Sequence, residues 1–365
     1  MSGPIAGTLV FLLGGVAAAT YLLPFRGVRG WAYETGWLVS VFAGWLVFPL
    51  VFDACAVPGF WRVVGSAPAA TLLRSFGFGV LWGVGALCWA LMVRYLGIGL
   101  GLGIGAGLCA ATGTLLPPIC TGRAADLVAT PSALMVLGGV AVALLGIVAV
   151  GIAGRLKECE MSEEDKRKSV AEFDFGKGLV MAVVAGVASA GINFGLQGAP
   201  ELEAAALEAG ASPTWAGMPV LTVVLWGGVL TQVVWALVQH RKNRSIGDYV
   251  KTPRPLNYLL AVSVGLIGVM QFVLQKAGEP LMGEFRYISF AVLMSSAVFF
   301  SAILGVFLGE WKGTSLRTRS LLAAGIAILA VGFTVMALGG RQGSDQDGSP
   351  SAALSPSEGQ FHQRT

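Results

Sequence analysis

Residues Arg94–Ile119, RYLGIGLGLGIGAGLCAATGTLLPPI, constrain the fold more than any other stretch: after the Arg94-Tyr95 pair come more than twenty residues without a charge. As a helix rising about 1.5 Å per residue, such a run crosses the roughly 30 Å hydrocarbon core of a bilayer. Glycines at 97, 99, 101, 103, 105 and 107 place small-xxx-small pairs on more than one face, which lets neighbouring helices approach closely. A nucleotide-binding glycine loop would need a preceding strand and a well-spaced acidic residue, and the sequence offers neither. A later apolar stretch opens alike, Arg286-Tyr287-Ile288 against Arg94-Tyr95-Leu96. That echo points to two related halves.

Other runs repeat the pattern. With 55% apolar and 12% charged residues in 365, the chain lies far below the roughly 25% charge of soluble domains, so a polytopic all-α membrane protein is expected. Ten spans are predicted: Ile5–Leu23, Gly36–Cys55, Leu72–Val93, Gly97–Ile119, Leu134–Gly154, Gly178–Gly198, Trp215–Gln239, Asn257–Ala277, Tyr287–Leu308 and Ser320–Leu338. They group as a first five-helix repeat over 1–154, a cytoplasmic connecting loop over 155–177, a second repeat over 178–340 and a disordered polar tail over 341–365. The acidic Pro200–Gly210 stretch reads as a short exposed helix. The first run has its arginines, Arg26 and Arg29, after it rather than before it, which marks a retained span and not a signal peptide.

Most of the 24 Lys and Arg fall on one side if the N-terminus is outside, so an inner membrane with both termini outside (periplasmic) is expected. Five spans per half is odd, so related halves form an inverted repeat, the architecture of many alternating-access carriers. The small net charge of +4 gives no sign of nucleic-acid binding, and membrane lipids are the expected surroundings. Five cysteines without CxxC spacing and two histidines support no metal site and no cofactor. An integral-membrane enzyme would need clustered acids or histidines at one membrane face, and none is visible, so no catalytic residue is assigned.

A polar solute crossing such a bundle needs hydrogen-bonding groups within the bilayer. Asn193 and Gln197, and Gln271 and Gln275, are pairs four residues apart on one helix face each, at similar depth. Trp45, Trp82 and Trp226 sit near mid-span rather than at interfaces, and Trp89 shares a face with Trp82. Amides with indole walls suit a sugar. No carboxylate lies at mid-span: Glu34 precedes span two, Asp53 closes it, and Glu279, Glu284 and Arg286 lie between spans eight and nine. Glu34, Glu284 and Arg286 are the candidates for proton coupling or gating, with a rim ion pair between Glu284 and Arg286.

Several segments together resemble the L-rhamnose/proton symporter family of the drug/metabolite transporter superfamily. They are Pro24–Trp37, Phe76–Gly105, Thr112–Ile119, the Glu-Ala-Ala-Ala from Glu203, and YISF with GEWKG between Tyr287 and Gly313. The resemblance implies a ten-helix inner-membrane carrier of two inverted units that moves L-rhamnose or a related deoxy sugar inward with a proton. Glu34, Trp82, Arg94, Tyr95 and Tyr287 lie inside the resembling segments, which implies a substrate role for Tyr287 and a gating role for Arg94. A carrier for another small metabolite, working as facilitator or exporter, is the alternative within transport.

Overall fold

A computed structural model describes residues 3–120, 122, 124–160, 175–251 and 254–347, and no β-strand occurs among them. The helices are α1 (Gly3–Thr20), α2 (Tyr33–Val41), α3 (Phe48–Ala56), α4 (Phe60–Ser66), α5 (Ala69–Cys120), α6 (Pro131–Glu160), α7 (Phe175–Ser189), α8 (Gly191–Gln197), α9 (Pro200–Glu208), α10 (Met218–Asn243), α11 (Asp248–Lys251), α12 (Pro255–Gly278), α13 (Ser289–Phe307) and α14 (Leu316–Asp347). Eight stretches among the described residues are long and apolar enough to cross a bilayer. Side chains such as Leu134, Leu145, Val180 and Leu230 stay exposed on them. In hydrocarbon these faces are solvated by lipid while the helix satisfies its own backbone.

Three departures from straight helices shape the interior. Gly105 lies against Trp89 and Met92, residues that a straight helix would hold roughly 20 Å away, so α5 doubles back on itself. Between α2 and α3, residues Phe42–Val47 form a π turn, and Phe48 N–H donates to Ala43 O. Pro49 explains it, because its ring would collide with the carbonyl of residue 45 in a regular helix and the preceding turn widens to avoid it. Between α12 and α13, the 3-10 stretch Glu279–Ile288 breaks at Gly283, whose φ of 54° suits a residue without Cβ.

Close packing follows the small residues. Gly44 of the π turn sits against the backbone of Gly265 on α12, and Gly79 of α5 sits against Val224 and Gly227 on α10, both pairs running parallel. Helices α6 and α14 pack antiparallel in constant register: Gly139 meets Met336, Ala143 meets Gly332, Gly146 meets Leu329 and Val150 meets Gly325. One apolar cluster joins Phe11, Val136, Met282, Phe285, Leu329 and Met336 on that side of the bundle. A second, around Trp45, Trp82, Leu221, Phe272 and Phe290, surrounds the interior cavity.

Two segment boundaries shift. Helix α6 runs to Glu160 and α7 starts at Phe175, inside the expected connecting loop, while 161–174 lie outside the described residues. Helix α14 runs on to Asp347, into the segment expected as a disordered tail, and 348–365 lie outside the described residues. Helix α9 forms where a short exposed helix is expected, yet Leu202 and Ala206 are fully buried against Phe60, Val63 and Val220.

Candidate functional site

Inside the bundle is a cavity of about 640 Å³ lined by α2, the π turn, both arms of α5, and α7, α8, α10, α12 and α13. Its wall is aromatic because the parallel glycine contacts draw the helix backbones together and leave the large rings to fill the centre. Trp45 and Trp82 lie 4.5 Å apart between ring centroids, Phe272 meets Trp82 edge-on at 5.4 Å, and Trp37 meets Trp45 at 6.0 Å. The volume falls within the range of small-molecule sites and exceeds what a monosaccharide fills, leaving room for water.

The polar groups on this wall are few and held in place. Trp37 Nε1 donates to Gln232 Oε1 at 2.9 Å, and Gln232 Nε2 donates to Gly83 O at 3.0 Å. Trp89 Nε1 donates to Ser189 Oγ at 2.7 Å. Gln271 Nε2 donates to Gly268 O of its own helix at 2.8 Å, which leaves the amide oxygen as an acceptor for a solute. Each is a neutral amide, indole or hydroxyl, so the wall favours an uncharged, hydroxyl-bearing ligand over an ion.

The two ends of the cavity differ. At the end carrying Arg241, Lys242 and Arg244 the wall reaches the surface, where Tyr33 is 57% exposed. At the opposite end a buried network closes the bundle. Lys276 and Glu279, both 2% exposed, pair at 2.6 Å, and Lys276 lies 3.6 Å from Glu203. Arg286 reaches Glu203 at 3.0 Å and Glu279 at 3.5 Å. Gln275 Nε2 donates to Asn193 Oδ1 and Ser289 Oγ, and Asn193 Nδ2 donates to Gly113 O at 2.5 Å, tying α8 and α12 to the returning arm of α5. Two acids and two bases leave this network neutral, which makes its burial tolerable.

At the basic end Glu34 is also buried, accepting from Asn243 Nδ2 at 2.9 Å and Ser245 Oγ at 2.5 Å. Because Ser245 spends its hydrogen on Glu34, its 2.8 Å contact with His240 requires the imidazole to donate from Nδ1. Asp248 Oδ2 accepts from Ala32 N–H and Thr35 Oγ1. Together these bonds clasp the start of α2 to the turn after α10, where Arg244 takes a left-handed φ of 52° and ends the helix.

The sequence candidates are thus scattered, with Glu34 in the clasp at the basic end. Trp82, Trp89 and Gln271 line the cavity. Asn193, Gln275 and Arg286 belong to the closing network, and Arg286 pairs with Glu203 and Glu279 while Glu284 stays exposed. Trp226 stacks on Trp61 with its indole N–H unpartnered, and Gln197 Nε2 and Tyr287 OH are likewise buried without a partner, none of them on the cavity wall. The side chain of Arg94 lies outside the described residues. Gln232, Trp37 and Ser189 line the cavity and were not singled out. Gln232 carried the same mark as Gln271, an amide inside an apolar span, but lacks a partner four residues away. Glu279 and Lys276 sit near a span end in the sequence, and only the fold buries them.

A membrane protein that is helical over its described residues, with an aromatic, amide-bearing chamber open at one end and sealed at the other, has the make-up of a small-solute carrier. The family model for the L-rhamnose-proton symport protein matches residues 1–341. The chain belongs to that family. Curated relatives include L-rhamnose-proton symporters of Cronobacter sakazakii, 37% identical over 91% of this chain and 97% of the relative, and of Klebsiella pneumoniae, 34% identical over 91% and 97%. The symporter of Yersinia pestis bv. Antiqua is 32% identical over 92% and 98%.

Proposed function

We propose that this protein imports L-rhamnose or a related deoxy sugar together with a proton, by alternating access. The observation that carries the reading is a symporter family match over nearly the whole chain, coinciding with a chamber that presents neutral hydrogen-bonding groups among aromatic faces. Trp82, Trp89, Gln271 and Gln232 bind the sugar. The Lys276-Glu279-Glu203-Arg286 network and the Glu34 clasp serve as gates at the two ends.

Ten spans arranged as two inverted units suit this mechanism. Three features favour ten: α5 doubles back, Gly283 separates α12 from α13, and α7 and α8 together make one crossing. The inversion is supported by paired contacts. The parallel contact of the third crossing with the seventh has its counterpart in that of the second with the eighth, while the fifth and tenth meet antiparallel in even register. Cytoplasmic placement of the basic end, in the inner membrane with both termini outside, follows from the positive-inside rule, and makes this conformation inward-open.

The test is proton movement on adding sugar to proteoliposomes containing the purified protein. L-rhamnose is expected to acidify the lumen. If L-rhamnose, lyxose and mannose all leave the lumenal pH unchanged, the symporter reading falls.

A further inference from the structure

Four carboxylates on the described helices are largely buried, and three are answered. Glu34 takes two donors, Glu279 has Lys276 and Arg286 beside it, and Glu158 lies 3.6 Å from Arg155. Asp53, the last acid of α3, is different. It is 0% exposed, its Oδ2 accepts one hydrogen bond from Thr222 Oγ1 at 2.5 Å, and its Oδ1 has no partner.

Among the described residues of the elements packed against it, no charged group faces it. The π turn and α10 ahead of His240 contain none, Cys55 on its own helix and Arg62 on α4 are exposed, and no ion pair among the described residues includes Asp53. Lys276, which packs against Gly217 just before α10, is engaged with Glu203 and Glu279. Along its own helix Asp53 is flanked by Phe52, which meets Trp215 at 4.9 Å, and by Val57, whose N–H donates to Asp53 O and which packs in one apolar cluster with Val220. An ionised carboxylate with one donor and no cation in such a place costs several kcal/mol, far more than the neutral acid.

We propose that Asp53 takes up the transported proton as the Asp53-Thr222 end of the bundle closes. The inference rests on the symport reading and names the proton's seat within it. With that end open to water, Asp53 is an ordinary ionised aspartate. Closure joins α3 to α10, water is expelled, and a proton from the solution on that side bonds to Oδ1 while Thr222 continues to donate to Oδ2. The neutral acid is therefore favoured only when the carrier has closed toward the side it took the proton from, which is the sign that symport requires. Release balances when water of the cavity reaches Oδ1 along the same helical run, whose π turn forms the wall at Trp45 and Val41: that water takes the proton and Asp53 returns to its ionised form.

The experiment compares full-length wild type with Asp53→Asn in proteoliposomes, measuring L-rhamnose counterflow and sugar-driven proton uptake. Asp53→Asn keeps the shape of the neutral acid, so counterflow is expected to persist while proton uptake and uphill accumulation vanish. Wild-type accumulation and proton uptake in Asp53→Asn would overturn the assignment. Wild type that moves no proton with L-rhamnose sinks the symport reading, and this inference with it, whereas a coupled wild type beside an equally coupled Asp53→Asn sinks this inference alone. Should Asp53→Asn not reach the membrane, Asp53→Glu decides: coupled uptake with a displaced pH profile supports the proposal, and an unchanged profile rejects it.

Discussion

Trp37 on α2 and Gln232 on α10 are joined by a 2.9 Å hydrogen bond across the chamber, and the same amide holds Gly83 O on α5. One side chain therefore sets the spacing of three helices around the site. Gln232→Leu leaves the Trp37 indole N–H without its partner, at about 1–3 kcal/mol, and removes a second bond from Gly83 O, which keeps the one from its own helix. The expected result is a KM for L-rhamnose raised about tenfold, corresponding to roughly 1.4 kcal/mol, together with a lowered melting temperature. Wild-type values for both would show that the amide neither binds nor positions.

Gln271 and Asn193 should separate cleanly. Gln271 lines the cavity, and its nitrogen already has a partner on its own helix, so Gln271→Ala should weaken sugar binding and leave expression near wild type. Asn193 lies off the cavity wall and links Gly113 O to Gln275. Its replacement by alanine strands both partners, and the expected loss is in protein yield and thermal stability in detergent, with binding by the surviving fraction intact. A ligand-shifted melting curve measures both quantities at once.

The chamber and the closing network were not equally legible in the sequence. Trp82 and Gln271 announce themselves because a bulky or polar side chain at mid-span needs a reason in one dimension. Lys276, Glu279 and Asp53 do not, because their distance from a span end says nothing about tertiary cover. That cover comes from α9, which folds back over α4 through Leu202 and Ala206 and brings Glu203 to Lys276. Pro49 was visible, yet its consequence, a π turn that swings Trp45 onto the cavity wall, depends on the turn before it. The Arg286-Tyr287 echo of Arg94-Tyr95 was legible as a likeness of letters, but not the partner of Arg286, which is Glu203 rather than the neighbouring Glu284.

Breaking the buried ion network should be costly in one step and cheaper in two. Lys276→Met leaves Glu279 with the neutral donors Ser289 Oγ at 3.1 Å and Gln275 Nε2 at 3.4 Å and a single cation, Arg286 at 3.5 Å, whose side chain is 47% exposed. The expected loss is about 3–5 kcal/mol. Adding Glu279→Leu removes the stranded charge and should recover part of that loss, read as a partial return of the melting temperature. A double variant less stable than either single one would mean that the network contributes more than its own neutrality.

The antiparallel register of α6 and α14 gives a test of how the two halves are inserted. A Cβ built on Gly332 would lie 3.0 Å from the Cβ of Ala143, so cysteines at these positions come within disulfide reach with little backbone movement. The five native cysteines are all free and would first be replaced. Ala143→Cys with Gly332→Cys should cross-link under mild oxidation. So should Val150→Cys with Gly325→Cys, whereas Val150→Cys with Gly339→Cys, the pair that a parallel alignment through 143 and 332 would join, should not, because fourteen residues along α14 set Gly339 about 21 Å from Gly325. Halves inserted in the same direction would run α6 and α14 parallel, and no sliding of a parallel pair reproduces contacts in which one residue number rises as the other falls. Cross-linking of 143–332 together with 150–325, with transport retained, therefore favours opposite insertion of the two halves, and cross-linking of 150–339 in place of 150–325 would remove the basis for the inverted arrangement.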